Sequence, residues 1–310
     1  VTTDLVTRAR RARPADAALD WAREAVGAGS EVANIRALTG GIASSVHALD
    51  VVDRRGTRHK LVLRRYVDGG EAGTLAAAVQ HEGATLDALH SSSVPAPPFV
   101  ASDPSGARAG VPALLMERLP GRMLLTPGDP HAWRRQIANA LPRIHALRID
   151  TAPAATLMRD PTHVEPPPWA RDPRAWADAL AIARQPPPSF VPCFSHGDYQ
   201  HFNLLWSRGR LSGIVDWTFA GTGMPERDVG HCQLNLAVLW GVDAVDDFRA
   251  MYEAEAGRRS DPYWELRSAL AFLPGWSHFI QIQAGRRLRV DIAGMNGRVE
   301  DLVVSILRRL

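Results

Sequence analysis

The period of the hydrophobic pattern changes twice along the chain. From Asp16 to Val26 the apolar residues Leu19, Trp21, Ala22 and Val26 recur at helical spacing, and Gly27 and Gly29 close the run, which predicts a helix. The period then falls to two. Asn34 to Leu38, Val46 to Val52 and Arg58 to Tyr66 read as three antiparallel strands, with Asp53-Arg54-Arg55-Gly56 turning the second into the third. Helical spacing returns at Leu75, Val79, Leu86 and Leu89 and predicts a helix over Glu71 to His90. Ser91 to Pro98 is a Pro/Ser connector, and Val111 to Met116 reads as one more strand. Beyond it the pattern is mainly helical. Helices are predicted over Asp129 to Leu147, where Pro142 is expected to bend the axis, and over Pro173 to Arg184. Four more follow at Val229 to Trp240, Val242 to Ala256, Pro262 to Gln283 and Ile292 to Leu310. Leu204-Leu205-Trp206 and Leu211 to Val215 are short strands joined by a turn at Ser207-Arg208-Gly209-Arg210. Asp150 to Pro192 is rich in Pro and reads as an insertion in the second half.

Strands first and helices afterwards imply an α+β chain, and 310 residues is length for about two lobes. We expect a small N-terminal antiparallel sheet lobe over 1–118 and a larger, mainly helical lobe over 119–310. Composition limits the picture without redirecting it. The 45% hydrophobic and 22% charged residues suit a soluble globular chain with a sizeable core. A net charge of +3 is too small to argue for nucleic acid. The longest apolar run, Ala269 to Leu273, meets Pro274-Gly275 at once, so no membrane span is expected. The basic stretch Thr7 to Arg13 has no apolar run behind it, and no signal peptide is expected. Cys193 and Cys232 are too few for a disulfide framework, and a reduced cytoplasm fits them.

One stretch concentrates residues that can do chemistry: Ser195-His196-Gly197-Asp198-Tyr199-Gln200-His201-Phe202-Asn203. Asp198 and Asn203 are five apart, and Asp216 lies thirteen beyond Asn203. The strand pair that follows would carry Asn203 at its start and Asp216 at its end, close together in space. Asp198 is the candidate base for a hydroxyl. Asn203 and Asp216 offer an amide and a carboxylate oxygen, both hard donors suited to magnesium. Two other readings use the same residues: Asp198 in a turn with Asn203 as a cap, or His196, Asp198 and His201 as an H-x-D-x-x-H metal site. His145 reads as a packed core histidine. Upstream, Thr39 to Ser45 joins the first two strands. Its residues Gly40, Gly41, Ser44 and Ser45 belong to a loop small enough to fold over phosphates with its N–H groups, and they equally suit an ordinary hairpin loop. In the third strand, alternation puts Lys60, Val62 and Arg64 on one face.

The H-G-D-x-x-x-x-N run followed by Asp216 has the spacing of the protein-kinase catalytic set, with Gly197 in place of the kinase Arg. It resembles the aminoglycoside phosphotransferase family of small-molecule kinases, and choline kinases carry a similar signature. The resemblance implies a two-lobed protein-kinase-like fold that uses ATP or GTP with Mg. It implies transfer of the γ-phosphate to a hydroxyl of a small molecule, most simply an aminoglycoside-type or other antibiotic. Choline-like or other metabolite kinase activity, and a nucleotide-binding protein without turnover, are the alternatives. By the same resemblance Val62 covers adenine, and Arg64 reads the α- and β-phosphates where the family usually has Lys; Lys60 and Arg65 are alternative readers. Glu82, in mid-helix, would hold that cation. Met116, Glu117 and Leu119 would lie in a hinge whose backbone meets the adenine edge, and His196 would support the loop. A Gly-x-Pro-x-x-Asp segment recurs in the family, and its Asp228 is expected to cap the next helix. Between Gly223 and Glu265 nine acids outnumber four arginines. That excess suits a polycationic acceptor, and ordinary solvated helix faces explain it more simply. Trp240, Trp264 and Trp276 read as core residues, with a sugar or quaternary-amine platform as the alternative. Neither nucleic acid nor a membrane is an expected partner.

Overall fold

Helix α1 (Asp16–Val26) presents Ala18, Leu19, Trp21 and Ala22 to one face of a five-stranded antiparallel sheet. This computed structural model describes residues 11–38, 44–67, 71–149, 152–155, 157, 160–272, 276–284 and 291–310. Gly40, Gly41, residues 7–10 of the basic stretch and the side chain of Trp276 lie outside that set. The chain divides into two units, Val1–Pro120 and Gly121–Leu310.

In the first unit β1 (Glu31–Ala37), β2 (Ser45–Val52), β3 (Arg58–Arg65), β4 (Phe99–Asp103) and β5 (Ala113–Glu117) lie in the order β1-β2-β3-β5-β4. Leu49, Val51, Leu61, Leu63, Ala113 and Leu115 meet α1 in a single buried cluster. The β2–β3 register runs unbroken from Ser45↔Arg65 to Val52↔Arg58, and Asp53 Oδ1 closes the turn by accepting the N–H groups of Arg55 and Thr57, each at 2.9 Å. β1 starts at Glu31, earlier than alternation predicts, because a bulge between Val32 and Asn34 breaks the period. β4 was hidden for the same reason: its register shifts between Phe99 and Ala101, and it is an edge strand, half-buried for most of its length. Helix α2 (Ala72–Leu89) packs on β4 and β5. Gly83 permits the close approach, since a Cβ there would stand 3.2 Å from the Phe99 ring and 3.5 Å from Leu114.

In the second unit α3 (Pro130–His145) is capped by Asp129, whose carboxylate accepts the Ala132 N–H, and it runs through Pro142 to His145. Helix α4 (Pro173–Ala183) starts in the same way from Asp172. Two small sheets follow: β6 (Cys193–Ser195) pairs with β9 (Gly221–Gly223), and β7 (Leu204–Ser207) pairs with β8 (Arg210–Ile214), all antiparallel. The β7–β8 turn has positive φ at Arg208 (51°) and Gly209 (73°), the twist that suits a two-residue hairpin. Helix α5 (Glu226–Trp240) is buried at every position from Glu226 to Val238, so it runs through the core of this unit. Helices α6 (Val242–Ala256), α7 (Pro262–Phe272) and α9 (Ile292–Leu307) pack on it, and α8 (Trp276–Ala284) lies between α7 and α9 in the chain. The helix predicted over Pro262 to Gln283 is thus two helices. Leu273-Pro274-Gly275 between them carries the Pro and Gly that end helical runs, and it lies outside the described residues. Among the described residues no helix is long and apolar enough to cross a membrane.

Candidate active site

Strand β6 delivers the chain into a loop held by one carboxylate. Asp228, on the first turn of α5, is fully buried and accepts the N–H groups of His196 at 2.8 Å and Gly197 at 2.7 Å. It makes no cap on its own helix, which overturns the expectation for this residue. A carboxylate can serve either its own helix or a distant loop, and here the loop's two N–H groups take both oxygens. His145 Nε2 lies 3.4 Å from the same carboxylate, and its Nδ1 lies 3.3 Å from the Tyr252 hydroxyl, so this histidine braces Asp228 from behind. Burial opposes the charge on Asp228. Hydrogen bonding and charge from His145, with the Arg227 guanidinium, nevertheless hold its carboxyl below the usual range.

Gly197 is required where it stands. Its φ is +84°, and a Cβ would fall 2.2 Å from Phe219 O and 2.5 Å from Arg227 Nη1. That Nη1 donates to Phe219 O at 2.8 Å and to Ser195 Oγ at 3.3 Å. His196 serves the loop from within. Its Nε2 donates to Val215 O at 3.0 Å, and its Nδ1 accepts the Asp198 N–H at 3.2 Å. Burial lowers its pKa and keeps the ring neutral. His201 is buried among Trp133, Phe202 and Trp240, and burial pushes its pKa down to about 3. His196, Asp198 and His201 therefore do not converge. Among the described residues no three or more His, Cys, Asp or Glu side chains are grouped to hold a metal ion.

Asp198 is held at both oxygens. Oδ1 accepts Gln200 Nε2 at 2.9 Å, and Oδ2 accepts Asn203 Nδ2 at 2.8 Å. His231 Nδ1 stands 3.3 Å from Oδ1, at an angle that makes no hydrogen bond, and its ring stacks on Phe272 at 3.6 Å. Burial, and then the charge of Asp216, push the Asp198 carboxyl up to about 8. Asn203 Nδ2 also donates to Asp198 O at 2.8 Å, so both amide hydrogens are engaged and the amide oxygen remains. Val215 N–H donates to Asn203 O at 2.9 Å, which sets Asp216, the next residue, beside Asn203. Asp216 has φ +68°, a left-handed conformation that Asp tolerates better than most residues, and Thr218 Oγ1 donates to its Oδ1 at 3.0 Å. The Asn203 amide oxygen and the Asp216 carboxylate are hard donors, one of them anionic, and they fit a magnesium ion.

In the first unit Arg64 and Glu82 form a buried pair. Arg64 Nη1 donates to Glu82 Oε1 at 2.9 Å and Oε2 at 3.0 Å, and its Nε donates to Ser44 Oγ at 3.1 Å. The Tyr66 hydroxyl donates to Glu82 Oε2 at 2.9 Å, and the guanidinium carbon lies 5.1 Å from the Tyr66 ring centroid. Lys60 is exposed, whereas Arg65 is buried and donates to Ser45 Oγ at 2.9 Å. Val62 is half-buried and pairs in register with Met116. Glu117 N–H donates to Pro98 O and Arg118 N–H to Lys60 O, whereas no bond among the described residues takes the N–H of Leu119. Sequence reasoning missed Gln200, His231 and Arg227. Only His231 left a signal, because it lies three residues past Asp228 on one helix face.

The sequence matches the phosphotransferase enzyme family over residues 34–272. No curated protein matches it. Solved structures share its fold at low identity. A candidate aminoglycoside phosphotransferase from Ralstonia eutropha JMP134 is 17% identical with a TM-score of 0.66, over 96% of this chain and 99% of that one. The macrolide 2'-phosphotransferase MphH from Brachybacterium faecium is 19% identical with a TM-score of 0.55, over 93% and 97%. A thermostable variant of the aminoglycoside phosphotransferase APH(4)-Ia, solved with ADP and hygromycin B, is 16% identical with a TM-score of 0.57, over 94% and 97%.

Proposed function

The chain belongs to the phosphotransferase enzyme family, and on that premise we propose that it moves the γ-phosphate of ATP or GTP to a hydroxyl of a small molecule with the help of magnesium. The observation that supports this best is the gathering of Asp198, Asn203 and Asp216 on one hydrogen-bonded loop and hairpin. Phosphoryl transfer asks the protein for positioning and charge neutralisation more than for covalent chemistry. Asp198 receives or orients the acceptor hydroxyl proton, with Gln200 and Asn203 fixing the direction of its oxygens. Asn203 and Asp216 would hold magnesium, which when bound neutralises charge on the phosphates. Asp228, His196 and Gly197 keep the loop in shape. Residues 1–118 form the nucleotide-binding lobe of a protein-kinase-like fold and residues 119–310 the catalytic lobe. Arg64, aimed by Glu82, reads phosphates; Val62 and the backbone at Met116, Glu117 and Leu119 take the base.

Structural neighbours that include aminoglycoside and macrolide phosphotransferases make an antibiotic hydroxyl the first class to test. The experiment is nucleotide titration of the wild type and of Asp216→Ala, each with and without magnesium. Wild-type affinity should rise with magnesium, and the variant's should not. An unchanged magnesium dependence in the variant removes Asp216 from the metal site. Nucleotide binding without consumption against any acceptor would point to a binding protein without turnover.

A further inference from the structure

A pocket lies behind Asp228, wholly within the helical unit. Its walls come from the end of α3, residues 189–193 leading into β6, the first turn of α5, and the start of α7. Asp198, Asn203 and Asp216 do not line it. The cavity is about 450 Å³, the size of an ordinary small-molecule site.

One wall is aromatic. Phe190 stands edge-on to Trp264, with ring centroids 5.2 Å apart at 80°. Phe190 and its neighbour Val191 are 41% and 85% exposed, among the few large apolar side chains left open to solvent, and both line this pocket. Burial pushes the Cys193 thiol up to about 12, so the pocket meets it as a neutral group. The charges are not evenly engaged. Glu226 is buried and matched by Arg258 at 2.9 Å, and Asp261 Oδ1 accepts the Tyr263 N–H at 2.9 Å. Arg148 is exposed and has no partner among the described residues. Trp264 Nε1 is buried and has no hydrogen-bond partner among them either. An unmatched guanidinium beside aromatic rings suits a carboxylate carried on a flat apolar body. Asp261 is the group that would favour an amine instead.

The same wall begins a chain of polar contacts that ends at the catalytic loop. Arg258, held by Glu226, donates through Nη2 to the Tyr252 hydroxyl at 2.8 Å. That hydroxyl lies 3.3 Å from His145 Nδ1, and His145 Nε2 lies 3.4 Å from Asp228. Asp228 in turn accepts the N–H groups of His196 and Gly197. Arg258 and His145 both line the pocket, so an occupant meets the chain at two of its links.

We propose that this pocket is an effector site for a small aromatic carboxylate. Arg148 and the Phe190–Trp264 wall bind it, and Arg258, Tyr252 and His145 transmit its presence to the loop that carries Asp198. The site stands whether or not the kinase reading does, because its test reads binding and amide exchange rather than turnover.

The probes are indole-3-acetate, indole-3-acetamide and tryptamine, one ring bearing an anionic, a neutral and a cationic arm, each titrated calorimetrically against the full chain. Indole-3-acetate should bind about tenfold more tightly than the amide, the worth of one hydrogen bond to a charged group. Arg148→Gln should remove that difference, and Phe190→Ala should weaken acid and amide alike. Both side chains are exposed, so neither change threatens the fold. In saturating indole-3-acetate, hydrogen exchange at the His196 and Gly197 amides should slow by about fivefold or more, the low end of coupling between sites. In Tyr252→Phe the acid should still bind and the slowing should be lost. No binding of indole-3-acetate, tightest binding of tryptamine, or unchanged binding of the acid by Arg148→Gln overturns the site. Binding with unchanged exchange at the two amides, or slowing that persists in Tyr252→Phe, overturns the transmission.

Discussion

Replacing Asp228 by Asn should loosen the loop that carries Asp198 while leaving shape and volume nearly unchanged. The carboxylate accepts two N–H groups, at 2.8 and 2.7 Å, in a fully buried place. An amide can accept one of them and must turn its own NH₂ toward the other. One buried N–H is left unsatisfied, at about 1–3 kcal/mol, and the other bond loses its charge assistance, about 1 kcal/mol more. Relief from burying a charge returns part of this, so about 1–3 kcal/mol should be lost. For a unit the size of Gly121–Leu310, at about 2–4 °C per kcal/mol, the midpoint should fall by roughly 2–12 °C. The pH dependence has a definite sign. The Asp228 carboxyl is depressed in the folded protein, so its contribution is present above the unfolded value of about 3.9 and is lost as pH falls through the folded value. The gap between wild type and variant should therefore close below about pH 4. Thermal unfolding from pH 3 to 8, beside turnover at neutral pH, is the assay. A variant as stable and as active as wild type at pH 7 would refute the idea that this carboxylate holds the loop.

Gly197→Ala should cripple turnover, since its Cβ meets Phe219 O at 2.2 Å and backbone cannot yield as a flexible side chain can. A structure of an active variant with an undisturbed Phe219 would contradict this. Arg64→Ala and Glu82→Ala should be strongly non-additive in nucleotide affinity and stability, because either change leaves a buried charge alone, at about 3–5 kcal/mol. Additive effects in a double-mutant cycle, or a dominant effect of Lys60→Ala on nucleotide affinity, would move the phosphate-reading role away from Arg64.

The parts of this protein legible in its sequence are those with a local period or a fixed spacing. Helix α1 was readable residue for residue, because its apolar side chains repeat at 3.6 and glycines end it. The hairpin that sets Asp216 beside Asn203 was readable from two short apolar runs around Ser207-Arg208-Gly209-Arg210. Strand β4 was not, because a bulge breaks its alternation and an edge strand buries little. Asp228 was misassigned for a different reason. Its partners are backbone N–H groups more than thirty residues away, and a backbone donor leaves no mark in sequence. Gln200 and Arg227 were invisible as well, since nothing in residue type separates a side chain that steadies a loop or a carboxylate from an ordinary buried polar group.

Asp198→Asn tests the central claim most directly. The amide keeps the size and removes the carboxyl oxygen that receives or orients the hydroxyl proton. Steady-state turnover with a competent acceptor should fall about 10²–10⁴-fold, the usual worth of general-base help. Nucleotide affinity, titrated directly in the presence of magnesium, should hardly change, because the lost interaction is made as the hydroxyl attacks. Near-wild-type turnover, or a loss confined to nucleotide affinity, would show that Asp198 is not the base and that the transfer proceeds without it.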